Sequence, residues 1–315
     1  VAGRLAELRV VDPVLGELSK GYSNGSFVGT SICPFVNAPK KSNKTVQFGK
    51  ESFEIYETER AVAGSPKRMM PNGRTPIDIK LTSHALEYPL DEEEIDESIF
   101  DEEQIAVESV SEAFMLRLEK KIADLTQNAD NYASTNKRTL EGDDQWSSKS
   151  TSDPVDHIKT AMNDMRKQIG RKPNKMLLGP DAFDDLCEHP KILAKIQYVM
   201  KGIVTVDILK EIFPGLEEIV VGEAIYKADN GEMADLWNDI CFLGYIGSGR
   251  NRKEPSWGYT FRKKGYPIVY RYIEPNGIIR VVQQRDIFEP MIVGADAGYL
   301  ISDTRAAVEE EEGEE

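Results

Sequence analysis

"RKPNKMLLGPDAFDDLCEHPKILAKI", residues 171–196, spells a turn, a strand and a helix in direct succession. Pro173-Asn174 turns the chain, and "KMLLG" crosses as a short apolar strand. Pro180-Asp181 then opens a helix. Proline loses nothing at the first helical position, and an acidic residue there suits the helix dipole. The same stretch carries groups that catalysis would need: Asp181, Asp184, Asp185, Cys187 and His189. Cys187 and His189 stand two apart, and at roughly 100° per residue they diverge by roughly 200° in a helix. A Cys–His nucleophile pair therefore cannot form there. Cys187 reads as a small buried apolar residue. His189 reads as a helix-closing residue, its partial positive charge welcome at a C-terminus, with Pro190 as the stop. Asp181 reads as a helix-start residue, with Asp184 and Asp185 in the first turn. The stretch is a folding corner.

Around this corner the chain alternates helix and strand. Asp153 caps and Pro154 starts a helix that runs through Ile158, Met162, Met165 and Ile169 to Gly170. A short helix "VDILKEIF" (206–213) and two apolar strands, "EIVVGEAIY" (218–226) and "DICFLGYI" (239–246), follow. Residues 151–255 thus predict a compact α/β unit with a small mixed sheet. Upstream, Val107, Val110, Phe114, Leu118, Ile122, Leu125, Ala129 and Tyr132 recur at steps of three and four. They predict an amphipathic helix over about 102–133, near 45 Å long at 1.5 Å per residue. A polar loop, 134–153, joins the two.

Further upstream, "NKTVQFGKESFEIYETE" (43–59) and "RTPIDIKLTSHALEYPL" (74–90) alternate like the strands of a long hairpin. Their join, 60–73, is rich in Gly and Pro and basic. A two-stranded ribbon is marginal in water, so this one is expected to lie against a neighbour or to be mobile when free. Residues 1–43 carry recurrent turn chemistry. Their apolar residues Leu15, Leu18, Phe27, Val28, Ile32 and Phe35 need a surface supplied by another chain or by their own domain. The last third is rich in strands, with a hairpin signal at "EPNG" (274–277), and it ends in the acidic "EEEEGEE".

The 315 residues allow one large domain or about two smaller ones, and 40% hydrophobic residues make the composition globular. A formal net charge of −15 repels nucleic acid and anionic lipid at long range, which argues against a direct DNA reader. The three cysteines, Cys33, Cys187 and Cys241, make no disulfide framework and suit a reducing compartment. No apolar run approaches the ~20 residues of a membrane-spanning helix, and "VAGRLAELRVVDP" lacks the shape of a secretory signal. His84, His157 and His189 have no partner at a metal-ligand spacing. "GSGRN" (247–251) lacks the rest of a phosphate loop, and no nucleophile elbow is present. No catalytic residue, cofactor or metal is expected.

What remains is adhesive. Arg60, Lys67, Arg68 and Arg74 form a basic hairpin tip. Asp91, Glu92, Glu93, Glu94, Asp101, Glu102 and Glu103 form an acidic run. Opposite charges on separate patches favour head-to-tail contact between copies of one chain.

In this order the elements resemble the major capsid proteins of tailed bacteriophages with the Hong Kong 97 fold. "DPVLGELSKGYSNGSFVGTSICPFV" is similar to that family's N-terminal arm, and residues 44–90 to its extended loop, which lies over an adjacent subunit. The helix at 102–133 is similar to its spine helix. "RKPNKMLLGPDAFDDLCEHPKI" is similar to an axial-domain segment, and "FEPMIVGADAGYLISD" to its closing strand. The resemblance implies an α+β fold divided as arm 1–43, extended loop (β-hairpin) 44–90, peripheral domain with spine helix 91–150, α/β axial domain 151–255, and peripheral strands with an acidic tail 256–315. It implies pentamers and hexamers closing into an icosahedral shell around double-stranded DNA, assembled in the host bacterial cytoplasm. A scaffolding protein, a portal and a decoration protein are the further partners it implies. An encapsulin-type nanocompartment shares the fold and is the alternative. A soluble α/β enzyme is a more distant one. No covalent Lys–Asn cross-link is assigned to this chain.

Overall fold

In a computed structural model, the residues described are 10–11, 27–46, 58–59, 76–196, 204–228, 230–247, 256–275 and 277–306. In chain order the elements are β1 (Val10–Val11), α1 (Gly29–Ile32), β2 (Phe35–Ala38), β3 (Ser42–Val46), β4 (Pro76–Lys80), β5 (Thr82–Asp91), α2 (Glu92–Glu97) and α3 (Glu102–Gln127). Then come β6 (Lys137–Thr139), α4 (Pro154–Ile169), β7 (Lys175–Leu178), α5 (Pro180–Glu188), α6 (Pro190–Ile196) and α7 (Val206–Ile212). The rest are β8 (Glu218–Val221), β9 (Ile225–Lys227), β10 (Met233–Asp235), β11 (Cys241–Gly244), β12 (Gly258–Lys263), β13 (Ile268–Ile273), β14 (Ile279–Ile292) and β15 (Gly298–Ser302).

The quoted corner folds as read. Asp153 caps α4 by accepting from the Asp156 N–H at 3.1 Å. Gly170 ends it at φ +70°, a left-handed position that glycine fills without a Cβ clash. β7 then crosses between β11 and β8 in a five-stranded mixed sheet of order β6-β15-β11-β7-β8. Met176, Leu177 and Leu178 are fully buried there. β7 is parallel to β8 and antiparallel to β11, so the expected mixed sheet is present. Two of its strands, β6 and β15, come from outside 151–255.

The second sheet is built on β14. Phe288 pairs with both Arg262 and Thr82, and Gln284 with both Val269 and Leu86. β12 and β13 therefore lie end to end along one edge of β14, and β5 lies along the other. The outer side of β12 and β13 receives the N-terminal segments: β1 antiparallel on β13 and β2 parallel on β12. Pro89 sits in β5, where an edge strand tolerates a missing N–H. The β13–β14 pair confirms the hairpin expected at 274–277.

α3 lies between the sheets and is the expected long helix. Val107, Val110, Leu118 and Ile122 are buried along one face. It has 26 residues, about 39 Å at 1.5 Å rise, and ends at Gln127 rather than near 133. Asn128 leaves the helical conformation, and its side chain accepts from the Asp130 N–H at 2.9 Å. Such local bonding competes with helix continuation. Tyr132 is still buried, because one 3₁₀ turn brings its hydroxyl back to donate to the Thr126 carbonyl.

Two predicted strands break. The strand expected over 74–90 divides at Leu81. β4 pairs with β3 as a separate ribbon, while β5 joins β14. Leu81 donates its N–H to Lys41 O, and its side chain is buried against Ile79, Phe261 and Ile287. The strand expected over 218–226 also divides. β7 ends at Leu178, so β8 loses its ladder partner after Val221, and β9 pairs with β10 instead. Of the N-terminal apolar residues, Val28 and Ile32 are buried in this chain's own core, Phe27 packs against it, and Phe35 lies under the Arg262 guanidinium at 3.8 Å. Leu15 and Leu18 lie outside the described residues.

Candidate assembly surfaces

The groups that sequence reading weighed for catalysis are engaged in holding the fold. Arg305 donates from Nε to Asp185 Oδ2 at 2.9 Å and from Nη1 to Asp181 Oδ1. Its own N–H reaches Asp239 Oδ2 at 3.2 Å. Asp181 stands in the first turn of α5, as expected, and is a clasp residue as well; Asp184 and Asp185 fall beyond that turn, because the helix already begins at Pro180. Arg305 lies 120 positions from Asp185, so no local pattern announces the pair. Cys187 faces the Val204 carbonyl at 3.8 Å, and burial, then Asp184 and Glu188, push its thiol up to about 11. A thiol so shifted stays protonated near neutrality and is a poor nucleophile.

His189 closes α5 as expected, its N–H reaching Leu186 O at 3.3 Å, but it does so as a neutral ring and not as a cation. Burial first, then Lys191, lowers its pKa, which favours the neutral ring. Nδ1 accepts the Lys191 N–H at 3.2 Å and Nε2 meets Ser152 Oγ at 3.0 Å. The ring joins α5 to α6 and to the loop before α4. His157 Nδ1 accepts from Trp146 Nε1 at 3.3 Å, and His84 stacks on Phe288 with ring centroids 4.5 Å apart. Among the described residues no group of three or more His, Cys, Asp or Glu is placed to hold a metal ion. Within "GSGRN", residues 248–251 lie outside the described residues.

Sequence reading missed the buried charges of the core, of which Glu119 joins the most elements. Glu119, on α3, is 1% exposed. Its Oε1 accepts from Val28 N at 3.0 Å, Gly29 N at 2.9 Å and Trp237 Nε1 at 2.9 Å, and Oε2 shares the Gly29 N–H at 2.8 Å. One carboxylate thereby joins the N-terminal segment, the long helix and the loop before β11. Burial raises its pKa, against the three donors. The visible signal was an acidic residue one position after Leu118 on a buried helix face.

The acidic run folds into one end of the second sheet. Asp91 pairs in register with Ile279, and Glu92 donates its N–H to Ile278 O at 3.0 Å. The Asp91 side chain caps α2 by accepting from Glu93 N at 2.9 Å. Glu92, Glu93 and Glu94 form its exposed first turn. Asp101 caps α3 by accepting from Gln104 N at 3.1 Å, and Glu102 accepts from the Ser98 hydroxyl at 2.5 Å. Between the two helices Ile99 is 96% exposed and Phe100 72%. Glu103 turns inward, to Arg271 at 2.7 Å and Arg280 at 2.8 Å. It is occupied within its own subunit. Arg60, Lys67, Arg68 and Arg74 lie outside the described residues.

Burial alone would raise the Glu103 pKa, but the hydrogen bonds and charges of Arg280 and Arg271 hold it below the ordinary value of 4.5. A depressed folded pKa contributes stability that is present above 4.5 and lost as pH falls through the folded value. Both arginines are partly exposed, so solvent screening keeps the contribution to about 1 kcal/mol. Glu103→Gln is expected to lower the unfolding midpoint near neutrality and to converge with the parent in acid. A difference that is constant with pH would contradict this.

The major capsid protein of Burkholderia phage BcepMu is 48% identical to this chain over 305 residues, covering 95% of it and 98% of the relative. The chain belongs to the phage major capsid protein family. A profile of that family, described as phage major capsid protein E, matches residues 107–239, from α3 to the loop before β11. A phage-related protein from Bordetella bronchiseptica superposes with a TM-score of 0.79 at 30% identity, over 94% of this chain and 98% of its own. The mature capsid of bacteriophage PhiM1 matches with a TM-score of 0.55 at 10% identity, over 89% of this chain and 88% of its own, a likeness of fold alone. The fold is of the Hong Kong 97 type, as the order of elements implied. The BcepMu relative favours the phage reading over the nanocompartment, and capsid shells are built from many copies of such a chain.

Proposed function

We propose that this capsid protein forms pentamers and hexamers that close into an icosahedral shell around double-stranded phage DNA, with no catalytic step of its own. The observation that carries the reading is the match to a phage major capsid protein along nearly the whole chain. The net charge of −15 supports it, because an acidic shell does not cling to the genome it must admit. In this reading α4–α7 and the five-stranded sheet surround each capsomer's centre, the β14 sheet and α3 form its periphery, and the segment around β3 and β4 reaches over a neighbour. A scaffolding protein, a portal and a decoration protein complete the particle in the host cytoplasm. Negative-stain microscopy of the purified protein is expected to show uniform capsomers or hollow shells, and native particles are expected to protect DNA from nuclease. Monomers at all concentrations would refute the first part, and particles filled with protein cargo the second.

The basic tip, Arg60, Lys67, Arg68 and Arg74, meets the acidic end around Asp91, Glu92, Glu93, Glu94, Asp101 and Glu102 of a neighbour. Each exposed pair contributes only about 0–1 kcal/mol, but the contact repeats at every interface. Reversing all four basic residues to Glu is expected to block shell formation or make it far weaker. Normal, salt-stable shells from that variant would sink the idea.

A further inference from the structure

We propose that Ile99 and Phe100 are the apolar anchor into which the segment Lys67–Pro71 of a second copy docks. The inference rests on the charge contact proposed above and adds its hot spot. A large aliphatic and an aromatic side chain stand side by side in solvent, 96% and 72% exposed. The turn that holds them is fixed. Ser98 Oγ accepts the Phe100 N–H at 3.1 Å and donates to Glu102, the Ser98 N–H reaches Glu94 O at 3.1 Å, and Asp101 caps the helix beyond. A rigid apolar pair is ordered before binding, so docking loses little entropy there. Hot spots take this form, apolar anchors within a polar rim that excludes water.

The rim identifies the occupant. Acidic residues flank the pair on both sides, Glu92–Glu97 before it and Asp101–Glu102 after it. Two such ends would repel each other, which rules out a symmetric contact between them. The partner must be basic and apolar within a few residues. "KRMMP" (67–71) is both: Lys67-Arg68 for the rim, and Met69-Met70, unbranched and adaptable, for the anchor.

Cross-linking in the assembled particle tests the placement. Phe100→Cys is combined with Met69→Cys, and separately with Met70→Cys, and mild oxidant is added. At least one pair is expected to give a ladder of covalent oligomers on a non-reducing gel, and neither single variant should give one. The native thiols Cys33 and Cys241 are buried and Cys187 is half-buried, which keeps the background low. An intrachain product alone, or no cross-link, would overturn the proposal. In the first case the chain's own loop covers the pair.

Ile99→Ser with Phe100→Ser gives the second arm. Both side chains are exposed, so the melting temperature of the unassembled subunit should not move. The subunit concentration needed for assembly is expected to rise about tenfold, and to stay raised in high salt, where exposed charges are screened. Unchanged assembly overturns the anchor. If the fourfold charge reversal still blocks assembly in that case, the charge contact stands without it.

Discussion

Gly179→Ala is expected to yield almost no soluble folded protein. The residue closes β7 and stands before α5, at an ordinary φ of −68° that alanine adopts freely. The conflict is one of space. A Cβ there would lie 1.7 Å from the carbonyl oxygen of Asn238 and 2.8 Å from its carbon. That carbonyl cannot swing aside as a side chain would. It accepts the Ile240 N–H at 2.8 Å, and Ile240 O in turn accepts the Gly179 N–H at 2.9 Å. Relief requires pulling β11 from β7 where the sheet is fully buried. We expect a loss of about 4 kcal/mol or more, against a total near 5–15 kcal/mol. Gly170→Ala is the contrasting variant. It meets left-handed strain at an exposed helix end and should lose only about 1 kcal/mol. Soluble yield and thermal midpoint measure both. Equal behaviour of the two would show that the close approach at Gly179 is relieved at little expense.

Glu119→Ala is expected to be the next most damaging. Truncation leaves the N–H groups of Val28 and Gly29 and the indole N–H of Trp237 without an acceptor in a dry interior. Each orphaned donor costs about 1–3 kcal/mol. Removing a carboxylate that was buried without a cation returns part of this, because its desolvation is no longer needed. The net expectation is a loss of about 3 kcal/mol, seen as a clear fall in unfolding midpoint. Glu119→Gln separates the terms. An amide oxygen in place of Oε1 keeps all three donors and carries no charge, but the NH2 in place of Oε2 then faces the Gly29 N–H at 2.8 Å, so glutamine should recover part of the loss. A glutamine variant as weak as the alanine variant would mean that the negative charge itself is required.

The raised pKa of Glu119 has a sign opposite to that of Glu103. Its contribution is fullest below the ordinary value of 4.5 and declines as pH rises through the folded value. The pH dependences of the two variants should therefore run in opposite directions.

How much of this was legible depended on sequence distance. The buried face of α3 was readable because its period of 3.6 lies within the helix itself. The ends of α4 were readable because Asp153-Pro154 and Gly170 satisfy backbone groups locally. The end of α3 was misplaced because apolar Ala129 and Tyr132 continue the period after Asn128 has broken the backbone. Leu81 kept the alternation of a strand while the chain passed from one sheet to another. The Glu119 and Arg305 contacts join residues about a hundred positions apart, and no window shorter than the fold contains them. The charge opposition of 60–74 and 91–103 was legible from composition alone, but that Glu103 is held by Arg271 and Arg280 was not.

The place of β15 bears on how the protein is made. It lies inside the five-stranded sheet, between β6 and β11, yet it is the last of the described strands in chain order and so leaves the ribosome after every other strand of that sheet. Until residues 298–305 emerge, β11 has one open edge, β6 has no neighbour, and Asp181 and Asp185 lack their arginine. A nascent or prematurely terminated chain therefore cannot complete this half of the subunit. A copy that carries residues 298–305 closes this sheet and engages both aspartates, whereas truncation before them leaves a strand edge open to non-native pairing.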